Sequence, residues 1–378
     1  MVDYYCTISE REMNLKIGII GLPNVGKSTT FNALVKEQNA QVANYPFCTI
    51  EPNIAIVPVP DPRLDHLAEI IGVDRVIHAT IEFVDVAGLV KGASKGEGLG
   101  NQFLGNIRNV DAVLHVVRCF EDQNVIHISE HPNPKEDIEI INTELSLADY
   151  QQIDKRLEKL SRQVKGDKNL QPLLDMAIMV KDYLAEGKPL WLFQNKEDAA
   201  FQELNKELQF LTAKPVIYLA NLDEESINQG NSYFEAAQGI ASKQKAQIIK
   251  ICAELEAELT SLSQEEQTEY LSMAGIAQSG LDQVIRAGYE ILNLISFFTF
   301  NEDEARSWTI EKGWTAPQAA GQIHTDFEKG FIKAEIADYE TFIQFGSWAA
   351  LKKAGKSRLE GRNYIVKDGE VILFRFNV

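Results

Sequence analysis

The chain has 378 residues, 45% of them hydrophobic, with 55 acidic residues against 37 basic ones and a formal net charge of −18. That length suggests two or three domains and is ample for a sizeable core. No apolar run reaches the roughly 18–20 residues of a membrane span, the start at Met1-Val2-Asp3 has no apolar signal core, and so acidic a chain is not expected to coat DNA or anionic lipid.

The acid excess is uneven. From Ser296 onward there are 11 basic and 12 acidic residues, against 26 and 43 before it. Any contact with RNA is therefore expected in the C-terminal fifth, where Lys352, Lys353, Lys356, Arg358 and Arg362 form a basic run. The four cysteines, Cys6, Cys48, Cys119 and Cys252, are far apart and form no CxxC pair. A disulfide framework or zinc ribbon is not expected, and a reducing cytoplasm is.

In chain order, Lys16–Ile20 is an apolar, β-branched run that reads as a strand buried on both faces. A helix is expected over Thr29–Val35. Further buried strands are Ile81–Asp85, Ala112–Val117, Val216–Ala220 and Ala246–Ile251. Strands alternating with helical stretches predict an α/β domain with a mainly parallel sheet, over residues 14–130 and 205–278. Between them, Ile138, Ile141, Leu145, Ala148, Tyr150, Ile153, Leu157, Leu160 and Val164 recur at three- and four-residue intervals. Gly166-Asp167 interrupts, and Leu170, Leu173, Leu174, Ala177, Val180 and Leu184 resume the period. That pattern predicts a helical hairpin, an antiparallel coiled coil inserted over 131–204. From 294 to 378, short strand-like runs at Phe297–Phe300, Ala305–Ile310, Phe331–Ile336 and Val371–Phe376, punctuated by glycines, predict a small α+β module.

Gly21-x4-Gly26-Lys27-Ser28 satisfies the P-loop pattern and lies between a strand and a helix, as that motif requires. Glycines let backbone N–H groups curl around phosphate oxygens, and the helix N-terminus adds partial positive charge. Lys27 would reach the β- and γ-phosphates, and Ser28 would offer its hydroxyl to Mg²⁺. Asp85, closing the second buried strand, is suited to hold magnesium through water, and the Gly88 N–H to sense the γ-phosphate. Thr49 is placed to complete the metal shell. Position 89, where related switch enzymes carry glutamine, is leucine and cannot hydrogen-bond a nucleophilic water. The group that activates water must come from elsewhere in the chain or from a partner; His127 and His115 are candidates, with His115 inside an apolar strand.

Asn221-Leu222-Asp223-Glu224 ends the fourth sheet strand where guanine-specific proteins carry Asn-Lys-x-Asp. Leucine for lysine, and a side chain one methylene longer for the aspartate, misplace the paired contact to guanine's N–H groups. Adenine offers an exocyclic donor and the N7 acceptor, which Asn221 or backbone near Leu222 is expected to meet, with backbone of Cys252 and Ala253 beside the base. ATP is therefore expected over GTP.

These segments carry a resemblance. Residues 21–30 (GLPNVGKSTT), 44–53 (NYPFCTIEPN), 83–104 and 221–224 (NLDE) resemble the YchF family, the Obg-like ATPases of the translation-factor class. Residues 315–332 and 364–369 resemble its TGS domain. The resemblance spans residues 14–378 and implies a GTPase-like domain preferring ATP, a coiled-coil insert and a TGS module associated with ribosome or RNA binding. By position, Asn24, Val25, Gly26, Lys27, Ser28 and Thr29 would hold the phosphates, Ser28 and Thr49 the magnesium, and Leu222 the base. Residues 1–12 extend beyond the usual start, near Met13.

Overall fold

The computed structural model describes residues 15–41, 53–86, 99–122, 131–276 and 278–377. Its first sheet contains β1 (Lys16–Ile20), β2 (Ile54–Pro58), β4 (Thr80–Asp85), β5 (Ala112–Arg118), β6 (Val216–Asn221) and β7 (Gln247–Ile251). The strand order is β2-β4-β1-β5-β6-β7. All neighbours are parallel except β2, which pairs antiparallel with β4 from Ile54↔Val84 to Pro58↔Thr80. Every residue of β5 is buried, His115 and Arg118 among its apolar residues included. Ile17, Ile19, Leu114 and Ile217 form the centre of this core with Val284 and Ile285 of α10 (Gly280–Ile291).

The predicted hairpin is present and larger than its periodicity indicates. Helix α4 (Pro134–Gln163) starts with Asn133 accepting from Glu136 N and with proline in its first turn, where a missing N–H costs nothing. Its first half packs Ile141, Leu145 and Ala148 into the core of the sheet. Its second half pairs with α5 (Gln171–Ala185) through Ile153, Leu160, Leu173, Ala177 and Val180. A third helix, α6 (Ala199–Leu208), closes the insert, adding Phe201 and Leu204, and Phe201 lies between Phe193 and Phe210 in an aromatic row. The insert's core therefore extends through Phe210, past the expected boundary at 204.

The C-terminal sheet contains β8 (Leu294–Phe300), β9 (Glu304–Glu311), β10 (Phe331–Asp338), β11 (Arg358–Glu360) and β12 (Glu370–Phe376). Its sixth strand is β3 (Arg75–Ile77), from the N-terminal half of the chain, which lies parallel to β9 at the sheet's edge. Helix α2 (Pro62–Ile71) travels with β3 and buries Leu64, Leu67 and Ala68 against Phe298, Phe342, Leu351 and Val371. An N-terminal segment expected to belong to the nucleotide domain is thus built into the C-terminal one.

Much of the basic run is consumed by this domain's own packing. Lys352 pairs with the buried Glu335 at 3.0 Å, Arg358 bridges Asp338 and Glu370, and Arg362 donates to the carbonyl of Phe331. Lys353 and Lys356 stay exposed. No helix among the described residues is long and apolar enough to cross a membrane.

Candidate nucleotide-binding site

The loop between β1 and α1 (Lys27–Gln41) adopts the conformation its glycines permit. Asn24 and Gly26 have φ values of 61° and 104°, so the backbone alternates handedness and gathers N–H groups on one side, an anion-binding nest. A methyl group on Gly26 would collide with the carboxamide of Asn221, so only glycine fits there. Val25 is fully buried and anchors the loop, while Asn24, Ser28 and Thr29 are exposed at its mouth. Thr30 closes the first helical turn, donating both its N–H and its hydroxyl to the carbonyl of Gly26 at 2.9 and 3.0 Å.

Lys27 is 8% exposed, and its Nζ donates to the carbonyl of Leu22 at 2.6 Å. Burial lowers its pKa, and the nearby Asp85 carboxylate partly restores it. Asp85 shows the converse: burial pushes its carboxyl up and Lys27 pulls it back. β1 and β4 set this pairing by register, with Ile19 opposite Asp85. A desolvated carboxylate facing a desolvated ammonium, beside an exposed hydroxyl on a helix N-terminus, fits a triphosphate with a divalent cation. The negative phosphates match the lysine, and the cation would answer the carboxylate and Ser28.

Asn221 ties two parts of the site together. Its Nδ2 donates to the carbonyl of Val25 at 3.0 Å, and its Oδ1 accepts from Ala253 N at 3.0 Å. Each end of the amide has one partner within the protein, which leaves one N–H and one lone pair for the edge of a base. Asn221 is a strut that ties the phosphate loop to the start of α8 (Ala253–Leu259). Leu222 is 2% exposed, inside an apolar cluster with Cys119, Ile138 and Tyr218, and its N–H donates to Ile251. Glu224 is exposed and accepts from the Tyr270 hydroxyl at 3.0 Å, while Asp223 accepts from Ser226 N. Cys252 and Ala253 are buried beside them, and burial raises the Cys252 thiol pKa.

His115 is 2% exposed and tilted against the Tyr218 ring at 5.3 Å. It lines a cavity with Asn142, Trp191 and Gln244 at the foot of the hairpin, and burial and then Lys27 hold its pKa down to about 3. It is a packed neutral histidine, which leaves His127 as the candidate for handling water. Thr49, Gly88, Leu89, His127 and Cys48 lie outside the described residues. Tyr270, which reaches Glu224 from α9 (Gln264–Met273), had no signal in the sequence: a single tyrosine on an acidic helix points to nothing.

Comparison with known proteins bears on the family and the fold. A family model described as "50S ribosome-binding GTPase" matches residues 16–166, and the YchF-GTPase_C model, described as "Protein of unknown function (DUF933)", matches residues 294–377. Proteins named "Ribosome-binding ATPase YchF" from Pasteurella multocida and Bacillus subtilis are 50% and 47% identical to this chain. In both cases the match covers 97% of this chain and 100% of the relative. The solved structure of the Schizosaccharomyces pombe YchF GTPase is similar with a TM-score of 0.86 and 38% identity, covering 98% of this chain and 100% of that one. On identity of this order over the whole length of its relatives, the chain belongs to the YchF family.

Proposed function

We propose that the chain is a magnesium-dependent ATPase switch that associates with the ribosome in the cytoplasm, through its TGS and coiled-coil domains and with contact to ribosomal RNA. The observation that carries the preference for ATP is the base site. Guanine recognition needs a carboxylate facing two guanine N–H groups and a lysine over the base. Here Glu224 is engaged by Tyr270, Asp223 caps its own turn, and Leu222 is buried. A site without that carboxylate leaves guanine's donors unpaired, a cost of about 1–3 kcal/mol. Backbone groups around Leu222, Cys252 and Ala253 suit adenine, whose edge needs one donor and one acceptor.

Lys27 would exchange the Leu22 carbonyl for the β- and γ-phosphates, the stronger partner for a desolvated ammonium. The backbone N–H groups of residues 24–29 orient the phosphates, and Gly88 senses the γ-phosphate. Ser28, Thr49 and, through water, Asp85 would hold a magnesium ion bound with the triphosphate, which would supply positive charge against the negative charge developing on the phosphate oxygens. Leu89 offers nothing to the attacking water, so turnover is slow unless His127 or a partner orients it. The names of the bacterial relatives support the ribosome as that partner.

A GTPase reading has the printed descriptions of the N-terminal family model and the fission-yeast structure in its favour. Equilibrium titration of ATP and GTP with Mg²⁺ separates the two. Tighter ATP binding is expected; a preference for GTP would hand the site to the GTPase reading. Turnover with and without ribosomes then distinguishes a stimulated ATPase from an adaptor holding nucleotide as a structural ligand.

A further inference from the structure

β2 and β4 are antiparallel neighbours, yet the chain joining them is not a hairpin loop. After Val59 N bonds to the carbonyl of Ala79 at 2.7 Å, residues 61–77 leave the first sheet and become part of the second. α2 supplies Leu64 and Leu67, both fully buried, to the C-terminal core. β3 pairs with β9 from Arg75↔Glu304 to Ile77↔Arg306, reinforced by an Arg75–Glu304 ion pair at 3.0 Å. The outer end of the β2–β4 pair is thus anchored in one domain, while its inner end carries Asp85 beside Lys27.

Arg63 fastens this arrangement. Its guanidinium takes Asp61 through Nε and Nη2 at 2.9 and 2.8 Å, and reaches across to Asp368 through Nη1 at 2.7 Å. It lies 5.4 Å over the Phe298 ring. Asp368 in turn accepts from Ser296 N at 3.0 Å, and Gly369 N donates to the carbonyl of Ser296 at 2.7 Å. Gly369 has a φ of 77°, and a Cβ there would come within 2.5 Å of Arg63 Nη1. The turn is shaped to admit the arginine, and the arginine is held on both sides by carboxylates.

We propose that the 59–79 excursion couples the nucleotide site to the C-terminal sheet, with Arg63 as the latch between α2 and the Asp368-Gly369 turn. The coupling rests on the nucleotide-switch reading above. A slide of the β2–β4 pair along β1, driven by what Lys27 and Asp85 bind, cannot be absorbed in a slack loop. Packed cores have discrete arrangements, so the shift is passed to β9 and to the turn before β12. The C-terminal domain would in this way read the state of the nucleotide.

Backbone hydrogen exchange on the full chain, with ADP and with a non-hydrolysable ATP analogue, tests this. The parent protein should show nucleotide-dependent differences in residues 15–30 and 80–85, and also in 304–311 and 368–376. Arg63→Ala should keep its nucleotide affinity and the differences in the first two segments and in 304–311, which β3 contacts directly, and lose most of those in 368–376. Arg63→Lys, which keeps the charge without the fork, should fall between. Differences confined to the first two segments in the parent, or an Arg63→Ala pattern matching the parent, would overturn the coupling. No response in residues 15–30 would overturn the nucleotide reading itself, and the coupling with it.

Discussion

At the scale of single residues, two buried polar groups have different duties, one in the site and one in the core behind it. Asn221 uses both ends of its amide to hold the phosphate loop to α8, so its removal leaves the carbonyl of Val25 and the N–H of Ala253 without their partner. Asn221→Ala is expected to cost about 1–3 kcal/mol of stability and to weaken nucleotide binding roughly tenfold, equivalent to about 1.4 kcal/mol of lost loop organisation. Urea unfolding and nucleotide titration read the two effects, and an unchanged affinity would mean the loop holds its shape without the strut. His115 makes no such bond and remains neutral because its ring is buried, with a pKa of about 3 against an ordinary 6.5. Its folded-state pKa is depressed, so the stability it contributes is fully present above pH 6.5 and is lost as pH falls toward 3. The decline in unfolding free energy between pH 6.5 and 4 should be shallower in His115→Gln than in the parent. Equal slopes would show that the ring takes up its proton without unfolding.

At the scale of elements, legibility followed burial and locality. β1, β5 and β6 were readable because strands covered on both faces are mostly apolar, broken only by Lys16, His115, Arg118 and Asn221, and the phosphate loop because its glycines have to stand at fixed offsets. The hairpin was readable from its period, with Gly166-Asp167 at the turn between α4 and α5. Period alone does not reveal that the two halves of α4 serve different cores, since Ile141 and Ile153 have the same spacing and different partners. α2, β2 and β3 were missed for a clearer reason. Pro58, Pro60 and Pro62 read as loop punctuation, β3 is three residues long, and its partner β9 lies more than two hundred residues further along the chain. Pairing at that separation leaves no local trace. The base site was legible in part for a related reason: NLDE was recognisable as a departure from a motif, but the bonds of Asn221 and Glu224 to Val25, Ala253 and Tyr270 are tertiary.

At the scale of the whole molecule, the distribution of charge decides how a protein of net charge −18 could approach a ribosome. The region before Ser296 carries nearly all of the excess and would be repelled by RNA, whereas the C-terminal fifth is close to neutral. Within that fifth, Arg358, Arg362 and Lys352 are held by internal partners, whereas Lys353 and Lys356 are exposed and make no side-chain bond of that kind among the described residues. Lys352 is a poor residue to neutralise, because Glu335 is 3% exposed, its Oε1 has no partner, and it would keep a buried carboxylate without its cation. Loss of binding in such a variant would report damage to the fold. The informative variant is Lys353→Gln with Lys356→Gln. If both lysines neutralise RNA phosphates, ribosome co-sedimentation should weaken, and the slope of log affinity against log salt should become shallower by about 1.5 to 2. An unchanged slope would place the contact on ribosomal protein or on another face, since a surface that releases no counterions touches no phosphate.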